Sequence, residues 1–268
     1  MKNPIPHSWK KLLPTALFLA ACVPGWAKIV TRTVDYKDDS GQALEGYVVF
    51  DDAARERRPA VIVVHDWRGL TDFTHRRAEM LAGLGYVAFA ADIYGKDVHL
   101  TTIPQWQKEI VKYKDDRALF RTRERAAYEA CIKLPEVDPR RVAAIGYCFG
   151  GTGVVEMLRD GLDLRGIVTF HGGLDARPLS EGAAMRAKVL ALCGADDPYQ
   201  SEADLAAFEK QLKDGGVDYE IVKYGHAVHA FTDAEVDKLN LPGAKYNAAA
   251  DRRSWRAMCD FLEEIFAQ

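Results

Sequence analysis

The chain has 268 residues, 48% of them hydrophobic and 28% charged, with a formal net charge of −3. That is enough apolar residue for a sizeable core beneath an ordinary surface, as one large α/β domain or two small ones. The near-neutral charge, with no basic stripe carrying interleaved aromatics, argues against a nucleic-acid partner, and no repeat or long Gly/Ser/Pro linker divides the chain.

Residues 1–27 differ from the rest. Lys10-Lys11 precede the apolar run Leu12–Ala21, a positive segment followed by an apolar one too short to span a bilayer. The pattern predicts an exported protein, periplasmic or secreted, with a signal peptide at 1–27 and one domain over 28–268. Two cleavage sites compete. Gly25-Trp26-Ala27 would leave Lys28 first; Leu19-Ala20-Ala21-Cys22 has the form of a lipobox and would anchor the protein through a lipid on Cys22. Cleavage after Ala27 is favoured, and in neither case does the mature chain hold an integral span. Cys131, Cys148, Cys193 and Cys259 remain. Their spacing is not that of a small disulfide scaffold, so at most one bridge among Cys131, Cys193 and Cys259 is expected. No His/Cys cluster has zinc spacing, and no cofactor is expected.

Val30–Lys37 and Leu44–Asp51 alternate apolar and polar residues around Asp38-Asp39-Ser40-Gly41, which predicts a hairpin. Ala60–Val64 is a continuous β-branched run suited to a strand buried on both faces. It leads into His65-Asp66-Trp67-Arg68-Gly69, at the strand end where open α/β sheets bind ligands. A helix capped at Asp72 or Thr74 runs to about Leu84, and Tyr86–Ala91 is the next buried strand, followed by Asp92-Ile93-Tyr94-Gly95-Lys96. Helices are predicted over Pro104–Lys114 and Arg117–Lys133, with a loop bracketed by Pro135 and Pro139. The strand from Arg141 breaks at Gly146, and a helix follows over Phe149–Arg159. Gly166–Phe170 and Lys188–Gly194 are strands, the first leading into His171-Gly172-Gly173. Ser201 caps a helix to about Lys213, Val217–Tyr224 is the last strand, and a loop leads to a closing helix over Lys245–Phe266. Strand–helix alternation throughout predicts one doubly wound, mostly parallel α/β domain.

The stretch Gly146-Tyr147-Cys148-Phe149-Gly150-Gly151 lies between strand and helix. Gly-x-Cys-x-Gly has the spacing of a nucleophile elbow, with Cys where Ser is more usual. A turn this sharp needs neighbours without bulk two residues either side. An acid at Asp197, with Asp196 as alternative, and a His at His229, with His226 as competitor, follow in later post-strand loops. The order nucleophile, acid, His is that of α/β-hydrolases.

With these motifs, the chain over about residues 29–267 resembles the dienelactone hydrolase family of α/β-hydrolases. The residues carrying the likeness are Gly146–Gly151, Gly194-Ala195-Asp196-Asp197-Pro198 and His229-Ala230-Phe231, supported by Val63–Gly69 and Ala91–Gly95. The resemblance implies the α/β-hydrolase fold and hydrolysis of a small ester or lactone through Cys148, Asp197 and His229. A non-catalytic binding protein of the same fold is the alternative. It selects Asp197 over Asp196 and His229 over His226. Cys148 would attack, its thiol activated by the helix N-terminus and the imidazole; His229 would move protons, and Asp197 would orient it. The N–H groups of Phe149 and Trp67 would form the oxyanion hole. Asp66 stands where the family often has Glu, a carboxylate that acts on the thiol. Arg68, Tyr94, Lys96 and His171 would line the substrate pocket. The founding enzymes hold a substrate carboxylate with two arginines; here Lys96 stands at one place and Asp233 at the other, so an anionic dienelactone is not the expected substrate.

Overall fold

The expected hairpin is the sheet's edge. β1 (Ile29–Lys37) pairs antiparallel with β2 (Ala43–Asp51), and Asp38 closes the turn by accepting from the backbone N–H of Ser40 and Gln42. The computed structural model describes residues 1, 28–53 and 56–267. The signal-peptide reading, with Cys22 and Ala27, lies outside the described residues.

Six further strands follow: β3 (Arg58–Val64), β4 (Val87–Ala91), β5 (Val137–Tyr147), β6 (Gly166–Phe170), β7 (Lys188–Gly194) and β8 (Tyr219–Tyr224). The sheet order is β1-β2-β4-β3-β5-β6-β7-β8. Pairing is parallel from β4 through β8 and antiparallel between β2 and β4. The β-branched run of β3 divides between two cores, as a strand covered on both faces must. Ile62 and Val64 face one core with Phe120 of α3 (Arg117–Ile132), Val155 of α4 (Phe149–Arg159) and Phe208 of α5 (Glu202–Asp214). Val61 and Val63 face the other with Leu81 of α1 (Asp72–Gly83) and Met258 of α6 (Ala248–Phe266). The remaining helix, α2 (Ile103–Asp115), opens with the Thr102/Gln105 capping box. The elements form one domain, a mostly parallel eight-stranded sheet with helices on both faces.

The structure departs from the sequence reading where backbone context outweighs local signals. β5 begins at Val137 and carries Pro139 within it. The β3–β5 register shifts between Arg58 and Ala60, an irregularity that accommodates a residue with no N–H to donate. β8 starts at Tyr219, not Val217. The supposed loop after β8 holds a 3₁₀ turn, Ala234–Leu239. α6 starts at Ala248, where the Asn247 side chain accepts from the N–H of Ala249 and Ala250. All four described cysteines are free, so none of the bridges considered among Cys131, Cys193 and Cys259 forms.

One buried acid stands out behind the elbow. Glu124 on α3 is fully buried, and neither carboxyl oxygen has a hydrogen-bond partner. It faces Gly153 of α4, where a Cβ would come within 2.2 Å of Glu124 Oε1. Burial, with the nearby carboxylates of Glu156 and Asp160, raises its pKa well above the ordinary range. The folded chain therefore binds more protons than the unfolded one once pH exceeds the ordinary Glu value. Stability falls as pH rises above about 4.3, by at most about 1.4 kcal/mol per pH unit. Glu124→Gln should remove this slope: its melting temperature should gain on wild type as pH rises from 4.5 to 8. Parallel melting curves would show that Glu124 does not titrate differently on folding.

Candidate active site

Every residue of the candidate site sits just past the carboxyl end of a parallel strand, because the register aligns those ends: Val64 with Gly146, Tyr147 with Phe170, Phe170 with Leu192 and Gly194 with Tyr224. Cys148 caps α4 with φ 54° and ψ −110°, a conformation that costs a non-glycine residue about 1–3 kcal/mol. Packing enforces it. A Cβ on Gly146 would lie 2.0 Å from the Gly150 carbonyl oxygen, and one on Gly150 would lie 2.2 Å from that of Val64. Neither contact can be relieved by a side-chain rotation, so both positions demand glycine.

The three side chains that the sequence puts in order are in contact. His229 Nε2 is 3.0 Å from Cys148 Sγ. His229 Nδ1 donates to Asp197 Oδ2 at 2.8 Å. Asp196 and His226 come no closer than 3.9 Å and are largely exposed, at 58% and 99% of their side chains. For His229, burial acts to lower the pKa, but the charges and hydrogen bonds of Cys148 and Asp197 outweigh it and push it up to about 10. Tyr199 covers this imidazole edge-to-face at 5.1 Å, its hydroxyl donating to Pro242 O and its N–H to Asp197.

His171 holds Cys148 from below. Its Nδ1 accepts from the Cys148 N–H at 3.1 Å, so Nε2 carries the proton and donates to Thr232 Oγ1 at 2.8 Å. Burial, with the neighbouring His229, holds its pKa well below the ordinary histidine value, and the ring is neutral. Phe149 is the first residue of α4, so its N–H has no intrahelical acceptor. The Trp67 N–H finds no acceptor among the described residues. Phe149 stacks on Phe120 at 4.5 Å, which fixes the start of α4. The Trp67 carbonyl accepts from Tyr94 Oη at 2.8 Å.

A cavity of about 560 Å³ opens over the sulfur, within the range of small-molecule sites. Trp67, Phe73, Ile110, Leu174 and Leu241 form much of its apolar wall. Arg68 and His171 line it, as expected. Two of the expected pocket residues do not. Tyr94 is buried behind the Trp67 loop, which its hydroxyl supports. Lys96 lies at the sheet edge and pairs with Asp35 at 2.6 Å and Glu45 at 3.0 Å, because the hairpin presents both carboxylates there. Asp66 lines the cavity but makes no hydrogen bond to Cys148. Its oxygens accept from the Arg68 N–H, Nε and Nη2, the last at 2.5 Å. Tyr199 and Thr232 escaped the sequence reading; adjacency to the acid and the His was the only sequence signal for them. Among the described residues no group of His, Cys, Asp and Glu could hold a metal.

The sequence pattern of the dienelactone hydrolase family matches residues 44–266. A solved dienelactone hydrolase-like promiscuous phosphotriesterase from metagenomic libraries is 39% identical, with a TM-score of 0.84 over 89% of this chain and 99% of its own. A Yersinia pestis protein provisionally named carboxymethylenebutenolidase is 24% identical over 84% of this chain and 85% of its own. An uncharacterised Caenorhabditis elegans protein is 31% identical over 57% of this chain and 98% of its own.

A raised His229 pKa has a consequence for stability. The Cys148 charge that raises His229 leaves one proton between sulfur and imidazole, and the unfolded chain keeps one proton on its thiol up to about pH 8.5. The folded chain therefore holds more protons only above that, and stability is lost as pH rises from about 8.5 through about 10. Melting temperature should fall across that window, and His229→Gln should flatten the fall. A slope unchanged by the substitution would mean that the imidazole is not held protonated.

Proposed function

The chain belongs to the dienelactone hydrolase family and is a carboxylic-ester hydrolase; from that premise we propose that it cleaves small esters or lactones through Cys148, His229 and Asp197, by way of a thioacyl-enzyme. The observation that carries this reading is the unbroken line Cys148 Sγ–His229 Nε2–His229 Nδ1–Asp197 Oδ2, with spacings of 3.0 and 2.8 Å, at the floor of the cavity.

The chemistry follows from where charge moves. Cys148 attacks as thiolate, forming a C–S bond while the carbonyl oxygen takes the negative charge between the N–H groups of Trp67 and Phe149. Collapse expels the alkoxide, which takes the proton from His229 Nε2. Acylation also removes the thiolate, one of the charges that holds His229 protonated. The imidazole of the acyl-enzyme is therefore neutral and suited to take a proton from water as the water attacks the thioester. The thiolate leaves, the acid departs, and the imidazolium–thiolate pair is restored. Asp197 keeps the Nδ1–H tautomer throughout. Neutral His171 holds the nucleophile's backbone without adding a competing charge beside His229.

Residues 1–27 supply an export signal in this reading, with Lys28 the mature N-terminus and the periplasm or exterior as destination. The Lys10-Lys11 pair, the apolar run to Ala21 and the small residues at Gly25 and Ala27 support it. Among the described residues no helix is long and apolar enough to cross a membrane.

Hydrolysis of p-nitrophenyl acetate by wild type, Cys148→Ala and His229→Ala tests the assignment. Each substitution should lower kcat/KM by at least about 10³-fold. Acid quenching of wild type during turnover should leave an acyl group on the peptide containing Cys148. Activity surviving Cys148→Ala would refute the nucleophile.

A further inference from the structure

The wall beside the sulfur carries a charge pattern that hydrolysis itself does not require. Asp66, Arg68 and Asp233 line the same cavity as Cys148 and His229. All three are largely buried, with side chains 8%, 11% and 7% exposed. Arg68 Nη2 lies 2.5 Å from Asp66 Oδ2 and 2.5 Å from Asp233 Oδ2, and Nε lies 3.1 Å from Asp66 Oδ1. Two carboxylates thus clamp one guanidinium, and the group is one negative charge in excess. With Nε and Nη2 engaged on one edge, that edge is closed to the two-pronged grip by which arginine holds a ligand carboxylate.

Neither carboxylate is free to turn away. Asp66 Oδ1 also accepts from the Arg68 N–H at 2.8 Å, and Asp233 Oδ1 accepts from the Glu235 N–H at 2.9 Å. The other charged residues that line the cavity are balanced by comparison, with Lys114, Arg117 and Arg177 beside Asp115, Asp175 and Asp204. Near the sulfur, His229 lies between Cys148 and Asp197, and His171 is neutral, so neither imidazole offsets the clamp. The clamp therefore adds a net negative charge along this wall, in a cavity open enough for added salt to screen it in part.

We propose that the Asp66–Arg68–Asp233 clamp is a charge filter: the site takes esters and lactones that are uncharged around the scissile carbonyl and discriminates against those bearing a carboxylate there. This rests on Cys148 as the nucleophile. Its consequence for substrate class is that a neutral ester yields an anionic acid, whose departure the same excess charge favours.

Two alkylating agents of similar size, iodoacetamide and iodoacetate, read the filter without any hydrolysis. The Cys148 sulfur displaces iodide from either, forming a C–S bond. Peptide-resolved mass spectrometry gives the two rates at Cys148, and their ratio, neutral over anionic, is the measurement. Asp233→Asn keeps the oxygen that accepts from Glu235 and removes one negative charge; it should lower the ratio about five- to tenfold. Arg68→Gln removes the positive charge and should raise it. A role confined to structure would leave the ratio unmoved or shift both variants the same way, and either result overturns the filter. In wild type the ratio should also fall as salt is added, which keeps the test open if a variant does not fold; a salt-independent ratio counts against the proposal. Hydrolysis of the p-nitrophenyl hemisuccinate and its neutral methyl ester should follow the alkylation ratio in direction. If the nucleophile assignment itself is wrong, Cys148→Ala retains hydrolysis while the alkylation ratio still reports the wall's charge, so the two failures are distinct.

Discussion

The close approach of α4 to the ends of β3 and β5 is the constraint on which the rest of the site depends. Gly146 lies against the Gly150 carbonyl and Gly150 against that of Val64. With no Cβ at either place the helix starts directly beneath the sheet edge, and Cys148 is forced to positive φ at the apex. Several features follow from that one contact: a sulfur raised above the sheet edge, an N–H at Phe149 with no intrahelical acceptor, and a helix N-terminus directed at the space where an oxyanion would form. Phe149 stacked on Phe120, and His65 stacked on Phe149, fill the volume behind the turn so that it cannot relax.

A second constraint holds the opposite side of the site. Two adjacent residues after the His loop, Thr232 and Asp233, tie it to everything else. Thr232 Oγ1 meets His171, whose other nitrogen holds the Cys148 backbone. The Thr232 carbonyl accepts from Arg77 of α1, which also pairs with Asp251 of α6. Asp233 meets Arg68, and through it Asp66 and the loop that carries Trp67. Cys148, His229 and the Trp67 loop are thus joined by side chains rather than by the sheet alone, which is how a site built on separate loops keeps sub-ångström spacing. The same joints give the cavity wall its charge, so positioning and selectivity draw on the same residues.

Much of the fold was legible because the local patterns agreed with the global one. The alternating hairpin, the β-branched run Ala60–Val64 and the Gly-bounded strand at Gly166–Phe170 each have a single reading as burial patterns. Boundaries were less legible where a tertiary partner overrides local preference. Pro139 argues for a loop by itself, yet lies in β5, where Val137 pairs with Arg58 and Val142 with Ala60 and the residues between bulge from the β3 ladder. α6 starts at Ala248 rather than about Lys245, because the Asn247 side chain takes free N–H groups of its first turn.

In the site the division is physical. Spacing along the chain by itself determined the elbow, since a strained strand-to-helix turn requires small residues at set positions whatever surrounds it. It likewise determined the order of Cys148, Asp197 and His229, because each parallel strand delivers the next loop to the same edge. Which way a side chain faces once delivered depends on neighbours distant in sequence, and only the tertiary structure decided that. It joined Arg68 to Asp233, took Lys96 out to Asp35 and Glu45, and set Tyr94 behind the Trp67 loop. A charged group settles where its partners are, and Asp233 lies 165 positions from Arg68, Asp35 61 positions from Lys96.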